Sequence, residues 1–154
     1  MKKRIIGLIL AGITGSAVLA GCAGSGGTGV SNDAVLKPGT YTGQSSESDA
    51  DDGGGYAVVK LTVGDNSQIE NVEFETFEKN GQSKHTSSYG MINGQVSNQD
   101  YYDKAQAAVK ACETYASQYM ETKSLDQIDA ISGATISYNQ FKEAVSIALQ
   151  KAAE

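Results

Sequence analysis

Along residues 57–63 apolar and polar side chains alternate. Ala57, Val59, Leu61 and Val63 share one face, and Val58, Lys60 and Thr62 the other. A period of two marks a strand with one buried face. Gly64-Asp65-Asn66-Ser67 supplies a turn, and residues 69–77 place Val72 and Phe74 inward, so the two segments predict a hairpin. Upstream, Lys37-Pro38-Gly39-Thr40-Tyr41-Thr42-Gly43 reads as a turn into a short strand. Between these strands, residues 45–55 are polar, acidic and glycine-rich, the composition of an exposed loop.

Further along, the period changes to that of a helix. Ala105, Ala108, Val109, Cys112, Tyr115, Ala116 and Tyr119 form one apolar stripe, predicting a helix over residues 101–121 with Asn98 or Asp100 as its N-cap. Tyr101, Tyr102, Tyr115 and Tyr119 recur on it at helical spacing, which reads as core packing before it reads as a stacking platform. A second stripe, Phe141, Ala144, Val145, Ala148, Leu149 and Ala152, follows Ser137 and Gln140, whose S-x-x-Q spacing predicts a capping box. Residues 79–99, polar and with glycines, match neither period; a stretch this long is functional or mobile. Strands grouped ahead of helices predict an α+β fold, a small antiparallel sheet of a hairpin plus short strands packed with two amphipathic helices.

The N-terminal segment has a different character. Met1-Lys2-Lys3-Arg4, an apolar run over residues 5–20 and Gly21-Cys22 have the layout of a secretory signal, with a run shorter than the ~20 residues a spanning helix needs. Leu19-Ala20-Gly21-Cys22 resembles a bacterial lipobox. That resemblance implies cleavage before Cys22, diacylglycerol on its sulfur, and tethering to the outer face of a bacterial cytoplasmic membrane. Residues 1–21 are thus the expected lipoprotein signal peptide, residues 22–36 a flexible Gly/Ser-rich tether, and residues 37–154 one folded domain. Of the two cysteines, Cys112 is left without a partner once Cys22 carries lipid, and its place in an apolar stripe suits a small buried hydrophobe. The chain holds 12 basic and 18 acidic residues, and loss of Lys2, Lys3 and Arg4 makes it more acidic still. With no Lys/Arg cluster, that balance argues against nucleic-acid binding. The lone His85 carries no metal-site expectation.

The candidate chemistry lies between the helices, at Asp129-Ala130-Ile131-Ser132-Gly133-Ala134-Thr135. Gly133 and Ala134 leave Thr135 free of bulk, so another protein's active site can close on its hydroxyl. A threonine hydroxyl is a weak nucleophile without a base or metal, and none is near in sequence; activation would come from outside. Asp129 suits either a contact to a modifying enzyme or its metal, or an anchor for the loop. A hydroxyl just upstream of a helix N-terminus lies where free N–H groups favour a phosphate. The same residues also read as an ordinary loop before a helix cap.

The segment matches D-x-x-[ST]-G-A-[TS], and so resembles the flavinylation motif of the FMN-binding domain family; Gly39-Thr40-Tyr41-Thr42-Gly43 resembles the G-T-Y-x-G opening of that domain. The resemblance implies FMN bound through a phosphoester to Thr135, with Asp129, Ser132, Gly133 and Ala134 forming the rest of the site. It implies a separate flavin transferase using FAD as donor and Mg²⁺ as its cofactor. It further implies an electron carrier, rather than a stand-alone enzyme, that takes electrons from a membrane dehydrogenase or quinol-linked donor and passes them to an extracellular acceptor. Such a carrier, held to the membrane through Cys22, is expected as a monomer. Residues 79–99 read equally as a cover over one side of the flavin site, with Tyr89 or Met91 near the ring, or as a solvated loop whose aromatic packs down. Non-covalent FMN binding, a non-redox surface lipoprotein and a leader processed to a pheromone are the alternative readings.

Overall fold

The computed structural model describes residues 35–50 and 53–154. The expected signal peptide, the lipid site at Cys22 and nearly all of the tether lie outside the described residues. Leu36, the last tether residue, is buried in the core, and Lys37 N donates to Ala152 O at 2.8 Å.

Three strands, β1 (Gly39–Gln44), β2 (Tyr56–Val63) and β3 (Ile69–Phe77), form an antiparallel sheet in the order β1-β2-β3. The pairing sets Tyr41 against Leu61 and Val59 against Phe74, with a register shift at Thr62/Val63. Alternation dictates the rest: Ala57, Val59, Leu61, Val63, Val72 and Phe74 are buried as the pattern requires. The other face is mixed, with Lys60 and Glu73 in an ion pair at 3.3 Å and Tyr56 stacked on Phe77 at 5.2 Å.

Two helices cover the apolar face. α1 (Gln99–Thr122) packs on β3 and α2 (Thr135–Ala153) on β1 and β2. The architecture is the expected α+β one. Asn98 is the N-cap of α1, its side chain accepting from Tyr101 N at 3.0 Å. α1 ends at Lys123 in a left-handed conformation, from which Nζ reaches Ile69 O at 2.9 Å. Where β1 crosses α2 the backbones nearly touch: a Cβ on Gly43 would overlap the Ala144 carbonyl, so only glycine fits. At the centre the Phe141 ring meets Phe74 edge-on at 4.8 Å and lies 6.0 Å from Tyr119.

Several expectations need correction. Tyr101 is exposed, and half-buried Tyr102 donates its hydroxyl to Ser87 O at 3.0 Å; only Tyr115 and Tyr119 of the aromatic stripe enter the core. The buried face of α1 takes in Ala111, which the stripe omitted. The loop over residues 45–55 is not exposed throughout: Ser45 and Gly55 are buried, and Ser45 Oγ accepts from Ala57 N at 3.0 Å. The capping box does not form. α2 begins at Thr135 with Ala134 at the cap position and no side-chain cap. Gln140 instead turns inward and donates to Gly55 O at 2.6 Å.

Candidate functional site

The motif is held by a residue from another element. The Tyr115 hydroxyl, buried on α1, accepts from Ile131 N at 3.0 Å and donates to Ala134 O at 3.3 Å. Ala134 N closes a turn onto Ile131 O at 3.0 Å, and Gly133 sits inside that turn at φ +82°. A positive φ suits glycine, and a side chain there would meet nothing within 4 Å, so the glycine serves conformation rather than space. This turn sets where α2 starts. It makes Thr135 the first helical residue, a correction to its expected place just upstream. Among the described residues, no acceptor meets the N–H groups of Thr135, Ile136 and Ser137. Such free donors carry the positive end of the helix dipole.

Thr135 is exposed and borders a cleft of about 260 Å³. Gly133, Ala134, Ile136 and Ser137 line it from the motif side, Ala108 and Val109 from α1, and Thr76, Lys84, Tyr89 and Gly53 from the strands and loops. Among the described lining residues the walls are largely aliphatic and aromatic, with one charged side chain, Lys84. That lysine is 5% exposed; its ammonium donates to Gly53 O at 2.8 Å and lies 5.7 Å from the Tyr89 ring centroid. Burial pushes its pKa below the ordinary amine value, against the pull of Glu78.

Of the residues expected to make the site, Gly133, Ala134 and Thr135 come together at the cleft. Asp129 and Ser132 are exposed and do not line it; Asp129 N donates to Gln118 Oε1 at 3.1 Å, tying the start of the motif to α1. Tyr89 lines the cleft, while Met91 borders a separate hollow with Ser83 and Thr86. Cys112 is buried behind the cleft, its thiol pushed up by burial, as a small core residue should be.

The family model of the FMN-binding domain matches residues 54–150, from the glycine turn before β2 to the last turns of α2. The chain belongs to the FMN-binding domain family. It is a flavin-binding protein, and FMN is the cofactor the match supports. No curated protein and no solved structure matches the chain.

The cleft suits this cofactor. N–H groups at the head of α2 with no acceptor among the described residues are donors for a phosphate, the aliphatic walls and Tyr89 suit a planar ring, and Thr135 belongs to both the helix head and the cleft lining. Sequence reasoning about this FMN-binding domain missed two contributors. Lys84 sits in a polar run and carried no local signal of burial. Tyr115 offered a better one: a tyrosine rather than a phenylalanine in a buried stripe implies a partner for its hydroxyl.

Proposed function

We propose that the protein is an extracytoplasmic flavin carrier that holds FMN through a phosphoester on Thr135. The observation that carries this reading is the position of Thr135: the residue is exposed, opens α2 with N–H groups that meet no acceptor among the described residues, and borders a largely apolar cleft. Among the described residues, none of those lining the cleft is a histidine or a carboxylate that would activate the hydroxyl. That lining agrees with what the family resemblance implies, attachment by a separate transferase with FAD as donor and Mg²⁺ as its metal. In that step the bond from Thr135 Oγ to the flavin-side phosphorus forms and the pyrophosphate bond breaks. AMP leaves, and the hydroxyl proton passes to the transferase.

Once attached, FMN supplies reversible electron transfer, while the chain supplies position and electrostatics. The helix N–H groups orient the phosphate, Gly133 permits the turn that sets Thr135 at the head of α2, and the apolar walls exclude water from one side of the site. The leader and lipobox support export and anchoring through Cys22. A carrier at the outer face of the membrane would accept electrons from a membrane dehydrogenase or quinol-linked donor, and covalent attachment would prevent loss of the cofactor by dilution.

Co-expression with a flavin transferase tests the reading. The expected product is yellow, heavier by one FMN less one water, with the increment on the peptide containing Thr135. Thr135→Val abolishes the increment while leaving the protein folded. A colourless wild-type protein of unmodified mass overturns the proposal, and a Thr135→Val variant that keeps tightly held, extractable FMN replaces it with non-covalent binding.

A further inference from the structure

The chain is acidic overall, yet the cleft beside Thr135 contains a lysine and no carboxylate among its described lining residues. Burying an amine is unfavourable unless it is partnered, and Lys84 is almost fully buried. The structure holds it by three means. Its backbone N donates to Thr76 O at 2.9 Å, extending the β3 edge. Its ammonium donates to Gly53 O at 2.8 Å, and it lies near the face of Tyr89. A carbonyl and a ring face both favour the charged amine, and Glu78, which is not among the described lining residues, pulls in the same direction, so the lysine brings a positive charge to a largely apolar space. The fold needs no ammonium there, because an aliphatic residue would fill the space without the cost of desolvation.

Resting on the flavin reading above, we propose that Lys84 is the cation that sets the redox poise of the cofactor in this cleft. Two-electron reduction with uptake of one proton leaves one added negative charge on the isoalloxazine ring. A fixed positive charge in a water-poor cleft favours the form that carries the added charge. A lysine paired with the cofactor phosphate would behave differently, because the phosphate charge is the same before and after reduction. Such a lysine would strengthen retention or attachment and leave the potential where it is. The reduction potential therefore separates a ring-facing role from a phosphate-facing one.

The test uses the full chain, flavinylated by co-expression, in wild-type, Lys84→Met and Lys84→Arg forms. Each is titrated anaerobically with dithionite as reductant against a reference dye. Lys84→Met is expected to disfavour the reduced form at least tenfold, which for a two-electron couple is a potential lower by about 30 mV. Lys84→Arg, which keeps the charge, is expected to stay closer to wild type than Lys84→Met does. Thermal melts of the same samples establish that each variant is folded. If Lys84→Met does not fold, Lys84→Gln takes its place with the same expected direction. A neutral variant whose potential equals that of the wild type overturns the proposal, and lowered flavin content in that variant then assigns Lys84 to the phosphate. A wild-type protein that acquires no flavin overturns both this proposal and the reading it rests on. A yellow wild type with unshifted variants overturns this one alone.

Discussion

Removing one oxygen atom from Tyr115 should loosen the loop that presents Thr135. In Tyr115→Phe the ring still packs within the core, 6.2 Å from Phe141, so the change is confined to the hydroxyl. Two hydrogen bonds disappear. Ala134 O keeps its bond from Tyr138 N at 2.9 Å, but Ile131 N loses its acceptor at 3.0 Å. Orphaning a buried donor costs about 1–3 kcal/mol. Ile131 is only half-buried, which places the expected loss at about 1–2 kcal/mol, or a melting temperature roughly 3–8 °C lower for a domain of this size. Tyr119→Phe is the control. Tyr119 is equally buried and its hydroxyl pKa is pushed up to about 12 by burial, but its hydroxyl has no hydrogen bond among the described residues. Its loss should change stability by less than about 0.5 kcal/mol. Urea melts of both variants measure the difference, and hydrogen exchange at the Ile131 amide localises it. Flavinylation of Tyr115→Phe, assayed well below its melting temperature, should slow while that of Tyr119→Phe does not. Equal stability of the two variants, with the Ile131 amide still protected, would refute the view that Tyr115 holds the motif.

Two other perturbations follow from the packing and the electrostatics. Gly43→Ala drives a methyl group into the Ala144 carbonyl of α2, and should destabilise by about 3 kcal/mol or more, read as a lower urea midpoint. A fully stable Gly43→Ala protein would show that β1 and α2 can separate at no cost. His85 accepts the Thr76 N–H at 3.3 Å through Nε2, and burial holds its pKa below the ordinary value against Glu75 and Glu113. The unfolded chain therefore takes up the proton first. Stability from this group is full above about pH 6.5, falls as pH drops from there to the folded-state pKa, and is level below it. His85→Gln, whose amide oxygen can still accept, should lose that component of the pH dependence of the urea midpoint; an unchanged profile would discount His85.

What the sequence disclosed depended on how local each cause is. The alternation in β2 and the stripe of α1 reflect one-sided burial, a property each segment carries within itself, and Asn98 caps α1 through a residue three positions away. Gln140 shows the opposite case. Its spacing from Ser137 satisfies a capping rule, yet its amide is claimed by Gly55, 85 residues upstream, while the turn held by Tyr115 starts the helix early. Lys84 likewise owes its burial to Thr76 and Gly53, and no window around residue 84 contains that information. The motif was legible as chemistry, but the cleft it borders also draws on β3, α1 and the loops holding Gly53 and Lys84. Asp129 and Ser132 share the motif without sharing the cleft.

The bond between Lys37 and Ala152 gives the domain a polarity. Thr135 opens α2 and Ala152 lies in its final turn, so at the rise of an α-helix the two are separated by about 26 Å. Leu36 and Lys37 therefore lie near the pole opposite Thr135. A lipid on Cys22, as proposed, would join the domain at that pole and leave Thr135 at its far end. A soluble acceptor would then meet the flavin end directly, whereas a donor embedded in the membrane would have to reach across the whole domain or wait for it to tip over.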